Sequence, residues 1–360
     1  MKLTTFVAGF ASVILSWSPL AAQDTPMPLS FIHDDEWQAY QDAYVGDDGR
    51  VVDVFNDNIS HSESQGYGML LAALVQDRPA FERIWSFTRT ELMIRDDGLA
   101  AWRWDPVADP HITDVNNATD GDILIAYALA LAGNGWGVPE YVQRATEITR
   151  TVGETLLAEV DGLQVILPGT EGFSAADRSD GPVVNPSYWV FEAFPVLAEL
   201  TPEIDWMDIQ QDGLALLERL TNDGMPPADW VSLSDDTPTP ASDFPPEFGY
   251  NNVRVPLYLI RAGLGKTELL DRLGVIFDET YEAAIIDVTT GERLEPMGEA
   301  GYRAIGAARA CILHDTPVPP ELQVYSPQSY YGDTMHLLTL AHLRQRHNGC
   351  LVPGNAEGQS

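Results

Sequence analysis

The chain has 360 residues, of which 45% are hydrophobic, and it carries a formal net charge of −34 at pH 7. This much hydrophobic sequence can build a large core, which excludes an intrinsically disordered acidic protein. The negative charge argues against a nucleic-acid-binding protein, because such binding needs a cationic surface.

The first residues have the pattern of a secretory signal peptide. Lys2 provides a positive start, residues 6–17 form an apolar stretch, and residues 20–22 form a small-residue cleavage site. The apolar stretch is too short to span a membrane, so we predict no membrane anchor. We therefore predict a signal peptide over residues 1–22 and a periplasmic or secreted protein.

The first strong motif places an acid, Glu63, at the start of an apolar helix predicted over residues 64–76. Ser62 and Gln65 have the spacing of a capping box, which favours a helix start here. Two glycines in the first turns weaken this helix by about 1 kcal/mol each relative to alanine. Close approach of a ligand to the backbone is one reason to keep them. The structural alternative is that Glu63 only complements the helix dipole.

A second motif repeats this arrangement. Thr119 and Asp122 again have capping-box spacing, and Asp120 lies between them at the start of a helix predicted over residues 120–133. This helix is apolar on almost every face, so it should be buried on almost every face. Burial at the edge of a core raises the pKa of a carboxyl group. Two such helix starts can supply the paired carboxylates that glycoside hydrolysis requires.

Helical patterns recur along the chain, whereas alternating strand patterns are nearly absent apart from residues 163–167. Proline density predicts a surface loop over residues 226–246, and residues 352–360 have the composition of a flexible tail. Without a break in composition, residues 23–351 are predicted to form one all-α domain of antiparallel helical hairpins. The predicted helices cover residues 34–44, 64–76, 79–95, 120–133, 139–159, 186–200, 205–221, 251–263, 266–285, 299–313 and 329–346.

Two cysteines, Cys311 and Cys350, follow the predicted cleavage site. Export permits a disulfide between them, but the sequence does not show whether they meet. We favour free thiols, because Cys311 lies on an apolar helical stretch and core cysteines are common there. The histidines are scattered without metal-ligand spacing. We therefore predict no metal and no cofactor.

Taken together, the motifs resemble glycoside hydrolase family 8. The most specific segment is the Ala-Thr-Asp-Gly-Asp helix with its trailing Trp136. The resemblance implies an (α/α)6 barrel, in which an inner ring of six helices stands inside an outer ring and the active cleft lies at one end. The helix over residues 120–133 would belong to the inner ring. The matching segments, which occur in the family's order, are residues 62–69, 101–104, 118–136, 185–189, 250–256 and 330–333.

The resemblance also implies an inverting hydrolase of β-1,4-linked glycans. The general acid of the family corresponds to Glu63, which would protonate the leaving oxygen. The neighbouring aspartate corresponds to Asp120, which would contact the sugar at the cleavage point and keep the acid protonated through its negative charge. The structural alternative for Asp120 is an ordinary helix-start residue.

The base is where the chain departs from the family. Many members carry Tyr-Asp-Ala-x-Arg where this sequence has Tyr250-Asn251-Asn252-Val253-Arg254, so Asn251 replaces the expected aspartate. An amide can orient a water molecule, but it does not accept a proton at ordinary pH. Glu247 and Asp243 lie just upstream, and we expect Glu247 to be the base because it is closer to the motif. For both residues a solvated loop acid is the alternative.

Sugar rings stack on flat apolar side chains and hydrogen-bond to polar groups at their edges. Each aromatic residue of the matched segments could serve in this way or could pack in the core. Arg254 corresponds to the family's arginine and would bind substrate or hold a catalytic carboxylate, with a buried ion pair as its alternative. The predicted substrate-binding residues are Trp104, Tyr188, Tyr250, Asn251, Arg254 and Tyr331.

These motifs predict an exported, monomeric endo-β-1,4-glucanase, linked to the biosynthesis or breakdown of cellulose. The alanine–tryptophan segment and the closing Tyr-Tyr motif resemble the cellulose-associated members of the family. Two alternatives remain open: a chitosanase or xylanase of the same family, and a glycan-binding protein that lost its base through Asn251.

Overall fold

The computed structural model describes residues 31–234, 237–265 and 267–351. The predicted signal peptide and the predicted tail lie outside these residues. None of the helices described in these ranges combines the length and apolar character needed to cross a bilayer. The helices are α1 (Asp34–Tyr44), α2 (Ser62–Leu74), α3 (Arg78–Phe87), α4 (Thr119–Trp136), α5 (Pro139–Thr155), α6 (Phe194–Leu200), α7 (Trp206–Leu220), α8 (Val255–Arg261), α9 (Glu268–Arg272), α10 (Ala300–His314) and α11 (Tyr330–Arg346).

The helices form two rings, which confirms the predicted (α/α)6 barrel. Most residues of α2, α4, α8, α10 and α11 are buried, whereas α1, α3, α5 and α7 each bury only one face. Around the inner ring, α2 packs against α4, and α4 packs against α6. The 3-10 turns that precede α6 and α8 contact each other. Helix α8 then packs against α10, α10 against α11, and α11 against α2. Helices apolar on nearly all faces therefore occupy the inner ring, and amphipathic helices cover them.

Besides the helices, the described residues contain short strands that form four antiparallel sheets. Strand β1 pairs with β2, with Ser60 opposite Trp104, and leads directly into α2. Strand β8 pairs with β9, with Glu247 opposite Asp287. The strands are β1 (Ser60–His61), β2 (Arg103–Trp104), β3 (Leu157–Val160), β4 (Leu163–Ile166), β5 (Val183–Val184), β6 (Val231–Ser232), β7 (Thr239–Pro240), β8 (Glu247–Phe248), β9 (Ala283–Asp287) and β10 (Arg293–Met297).

Several predicted helix bounds differ from the structure. The predicted helix over residues 266–285 is replaced by α9, a 3-10 turn (Leu273–Ile276) and strand β9. An apolar run fits a buried strand as well as a helix, and pairing with β8 and β10 decides in favour of the strand. The predicted helix over residues 186–200 begins as a 3-10 turn (Pro186–Tyr188), and α6 starts only at Phe194.

The residue that caps α2 is His61, not Ser62. The Nδ1 atom of His61 accepts from the Ser64 backbone N–H at 3.1 Å, and Ser64 Oγ accepts from the His61 backbone N–H at 3.1 Å. Gln65 is buried instead, where its Oε1 accepts from the Val51 N–H at 2.6 Å. The predicted start is therefore correct within a residue or two, but the pair of residues that stabilises it is different.

The second predicted capping box is also absent. Thr119 Oγ1 donates to the Leu167 carbonyl at 2.6 Å. Asp122 accepts from the Ala100 N–H at 2.8 Å and from Asn117 Nδ2 at 2.9 Å, and burial raises the pKa of Asp122 to about 7. Both side chains thus tie the buried start of α4 to neighbouring loops.

Cys311 and Cys350 form a disulfide, so the expectation of free thiols is wrong. Cys311 lies near the end of α10, and Cys350 lies in the 3-10 turn (Asn348–Cys350) that follows α11. These two inner helices pack side by side and end at the same end of the barrel. The pairing depends on that arrangement, which the sequence pattern alone did not reveal.

We expect the double variant Cys311→Ser/Cys350→Ser to lower the free energy of unfolding by about 2–4 kcal/mol. The disulfide closes a loop over a sequence separation of 39, and losing it returns conformational entropy to the unfolded chain. Urea unfolding of both proteins, with and without reductant, measures the difference. A wild-type midpoint that is unaffected by complete reduction would contradict the expectation.

Candidate active site

A cleft with a volume of about 710 Å³ opens at the end of the barrel where the inner helices begin. Glu63 at the start of α2 and Asp120 at the start of α4 both line it. Ser329, which caps α11, and Glu299, which precedes α10, lie on its other wall. The barrel therefore gathers side chains from distant parts of the sequence around one groove.

A buried arginine joins the two predicted catalytic carboxylates. Arg254 Nη1 donates to Glu63 Oε2 at 2.5 Å, and Arg254 Nη2 donates to Asp120 Oδ2 at 2.6 Å. Arg254 is inaccessible to solvent, whereas the Glu63 side chain remains 18% exposed. Arg254 thus lies behind the two carboxylates, forms a buried ion pair with each, and does not line the cleft.

Burial and neighbouring charged groups together set the pKa of Asp120. Burial raises the pKa of Asp120 to about 6, Arg254 opposes this shift, and the negative charge of Glu63 adds to it. The Oδ1 atom of Asp120 also accepts from the Gly121 N–H at 2.8 Å. Asp120 is therefore an anion above about pH 6 and stands next to Glu63.

His61 and Asp53, which the sequence analysis did not select, extend the cluster. The Nε2 atom of His61 lies 3.6 Å from Asp53 Oδ2. Burial opposes protonation of His61, but Asp53, Glu63 and Asp120 together raise its pKa. On the far side of Glu63, the Tyr330 hydroxyl donates to Glu63 Oε1 at 3.4 Å. The position of His61 two residues before Glu63 was the available sequence signal.

Four predicted binding residues line the cleft: Tyr188, Tyr250, Asn251 and Tyr331. The Tyr250 side chain is 45% exposed, so its ring is available to a ligand. The buried Tyr331 hydroxyl has no hydrogen-bond partner within the described residues. A buried polar atom without a partner is costly, and a ligand hydroxyl in the cleft would satisfy it.

Trp104 does not line the cleft, which corrects its assignment to substrate binding. It is 9% exposed, with the Arg50 guanidinium 4.3 Å from its ring and the His111 ring 4.2 Å away. Trp102 lines the cleft instead, and its Nε1 donates to Asp114 Oδ2 at 2.9 Å. The sequence motif identified the correct segment but not which of its tryptophans faces the groove.

Neither predicted base lies in the cleft. Glu247 is on β8, and its carbonyl accepts from the Asp229 N–H at 2.8 Å. The Asp243 side chain is 90% exposed and lies 3.9 Å from Arg178. Of residues 243–251, only Tyr250 and Asn251 line the cleft, so the geometry does not support Glu247 or Asp243 as the base.

A different carboxylate stands directly behind Asn251. Asp229 Oδ2 accepts from the Asn251 side-chain Nδ2 and from its backbone N–H, each at 3.2 Å. Asp229 Oδ1 accepts from the Gly249 and Asn252 N–H groups at 3.0 and 3.1 Å. Burial raises the pKa of Asp229, and these hydrogen bonds lower it only in part. Its separation of 22 residues from Asn251 left no pattern by which to find it.

Over the described parts of the chain, no group of three or more histidine, cysteine, aspartate or glutamate side chains is arranged to hold a metal ion. The polar groups of the cleft are instead carboxylates, hydroxyls and amides, flanked by aromatic rings. This composition suits a ligand that carries many hydroxyl groups and flat apolar faces.

Comparison with known proteins points in the same direction. The sequence model of glycosyl hydrolases family 8 matches residues 6–345. An endoglucanase from Cellulomonas uda is 40% identical over 225 residues, which are 62% of each chain. A probable endoglucanase from Novacetimonas hansenii is 35% identical over 310 residues, or 84% of this chain and 88% of that protein. The crystal structure of a family 8 endoglucanase from Klebsiella pneumoniae superposes with a TM-score of 0.78 at 34% identity, covering 87% of this chain and all of that one.

We expect removal of the buried guanidinium to raise the pKa of Asp120 above its value of about 6, because the arginine stabilises the anion. Arg254→Gln should show the larger shift and Arg254→Lys, which keeps the charge, the smaller one. Carboxyl ¹³C titration by NMR measures the pKa, with circular dichroism to verify folding. Arg150→Gln, which breaks an exposed ion pair with Glu203, is the control. An unchanged midpoint in Arg254→Gln would contradict the role of the arginine.

Proposed function

Because the chain belongs to glycoside hydrolase family 8 and is a glycoside hydrolase, we propose that it cleaves β-1,4-linked glucan internally, as an endo-β-1,4-glucanase. The observation that carries this proposal is the pair Glu63 and Asp120, held side by side by Arg254 at the edge of an open groove. The similarity to endoglucanases supports a glucan as the substrate. The signal-peptide pattern supports export, and a role in cellulose metabolism would follow from the substrate.

In the proposed mechanism, Glu63 keeps its Oε2 on Arg254 and gives a proton carried on Oε1 to the glycosidic oxygen as the bond to the anomeric carbon breaks. The transition state resembles an oxocarbenium ion, which carries positive charge on the sugar ring. Asp120, an anion above about pH 6, contacts the sugar at the cleavage point and stabilises that charge. Tyr188, Tyr250 and Tyr331 then supply stacking surfaces and hydroxyl contacts along the groove.

Inversion requires a water molecule on the opposite face of the sugar. The turn that carries Asn251 precedes α8, which is three places from α2 around the inner ring. Asn251 directs its amide N–H groups toward Asp229, which leaves its carbonyl oxygen to hold the water. As the water oxygen bonds to the anomeric carbon, the Asn251 side-chain oxygen takes its proton while Asn251 Nδ2 gives a proton to Asp229 Oδ2 along the existing hydrogen bond; the amide is restored when these two transfers reverse and the proton leaves to solvent. The raised pKa of Asp229 suits it to accept that proton.

We expect the mature protein to hydrolyse carboxymethyl-cellulose faster than chitosan or xylan, with a rapid fall in viscosity as internal bonds break. Glu63→Gln cannot donate the proton and should lower turnover about a hundredfold or more. Glu82→Gln, on the exposed face of α3, is the matched control and should retain turnover.

The outcome separates the alternatives. Preference for chitosan or xylan would assign another specificity of the family. Binding of a glycan without hydrolysis by the wild type would indicate a glycan-binding protein. Full activity of Glu63→Gln would overturn the assignment of the acid.

A second experiment tests the base. We expect Asp229→Asn to lower turnover about a hundredfold or more, while Glu247→Gln retains it because the Asn251 side chain in the cleft is hydrogen-bonded to Asp229 and not to Glu247. With an aryl β-cellobioside and sodium azide, Asp229→Asn should recover activity and form the α-glycosyl azide, because azide attacks without a base. Thermal unfolding separates loss of catalysis from loss of the turn that Asp229 stabilises. A slow Glu247→Gln and an active Asp229→Asn would reverse the two assignments.

A further inference from the structure

Phe55 is the most exposed large apolar side chain among the described residues that line the cleft. Its side chain is 75% exposed, and Asp53 and Asn56 line the same wall. A single exposed apolar residue is ordinary on a protein surface. A phenylalanine at the edge of a ligand groove, with polar groups on both sides, has the composition of a surface that contacts a sugar ring.

The turn that presents Phe55 is held by its own backbone. The Asp53 N–H donates to the Ile59 carbonyl at 2.9 Å, and the Ile59 N–H donates to the Asn56 carbonyl at 3.0 Å. The Asn56 N–H donates back to the Asp53 carbonyl at 3.2 Å. Phe55 therefore stands on a closed turn whose ends are fixed, not on an open loop.

Contacts outside the turn fix its orientation. Arg50 Nη2 donates to the Asn58 carbonyl, and Arg50 Nε donates to Ser60 Oγ at 3.2 Å. The same guanidinium lies over the ring of Trp104. Trp104 therefore packs against the guanidinium of Arg50, and Arg50 in turn holds the turn that carries Phe55.

The turn begins close to the residues around Glu63. Asp53 lies 3.6 Å from His61, which caps α2, the helix that carries Glu63 in its first turn. Phe55 is two residues beyond Asp53 within this closed turn, and at 75% exposure it is far more open than the Glu63 side chain at 18%. Its ring therefore lies at the rim of the groove, where a further sugar unit of a bound chain would pass, and not beside the buried carboxyl groups.

We propose that Phe55 forms an outer sugar subsite, stacking on the apolar face of a pyranose ring in a β-1,4-linked glucan chain. Asn56 and Asp53 hydrogen-bond hydroxyl groups at the edge of that ring. This inference rests on the proposed function of the cleft and extends it, because it predicts how affinity depends on chain length. Only chains long enough to reach Phe55 gain the contact.

The experiment measures binding of cellotriose and cellohexaose by titration calorimetry in the Glu63→Gln background, which prevents cleavage. An aromatic contact contributes about 0.5–1.5 kcal/mol, which corresponds to a factor of about 2–12 in affinity. Phe55→Ala should therefore reduce the affinity gain from cellotriose to cellohexaose by about 2–12-fold. Phe55→Trp should keep or increase that gain.

Val107→Ala is the matched control, because Val107 is 87% exposed and does not line the cleft; it should leave both affinities unchanged. An undiminished gain in Phe55→Ala, or an equal loss of affinity for both oligosaccharides, would overturn the outer subsite. Failure of the parent protein to bind either oligosaccharide would overturn the glucan-binding function itself, and with it this inference. The two failures are therefore distinguishable.

Discussion

The ion pairs of the buried Arg254 are the interaction on which the site depends. Removing a guanidinium from water costs several kcal/mol, and carboxylates in close contact must offset that cost. Here the contacts reach Glu63 on α2 and Asp120 on α4, while Arg254 itself directly precedes α8. One side chain therefore fixes the relative positions of three inner helices. Because misplacing any of them would leave a charge buried without a partner, the fold and the site are stabilised by the same contacts.

This arrangement gives the two carboxylates different environments. Asp120 is 3% exposed, and its pKa is raised to about 6, whereas Glu63 keeps 18% of its side chain open to the cleft. In the proposed mechanism, the more open carboxyl meets the leaving oxygen, and the more buried one supplies a fixed negative charge that does not reorganise during the reaction. His61, whose pKa is raised by Asp53 and by both carboxylates, stands beside this cluster while its Nδ1 accepts the capping hydrogen bond from the Ser64 N–H. The chemistry of the cleft thus follows from which helix start is buried more deeply.

The features that were predicted correctly from the sequence are those that local sequence patterns determine. The acid-bearing starts of α2 and α4 and most of the helices follow from periodicity and composition, and the family resemblance supplied the barrel. Tertiary packing determined the rest. His61 caps α2 because β1 pairs with β2, and Ala283–Asp287 is a strand because it has two partners. Glu247 is close to Asn251 in sequence but does not line the cleft, whereas Asp229 is 22 residues distant from Asn251 and contacts it. Sequence distance was therefore a poor guide to the carboxylate that stands next to Asn251.

The amide at position 251 changes the charge on the side of the cleft where the attacking water is proposed to bind. Asp229 Oδ2 lies 3.2 Å from the Asn251 side-chain nitrogen. An aspartate at position 251 would bring a second carboxyl group to a similar distance, and two carboxylates that close do not both ionise. One would hold a proton and could no longer accept one from water. An amide avoids this conflict, because it donates to Asp229 and turns its oxygen toward the groove. In the proposed mechanism, the replacement therefore keeps one negative charge on this side and moves the proton acceptor one hydrogen bond further from the sugar.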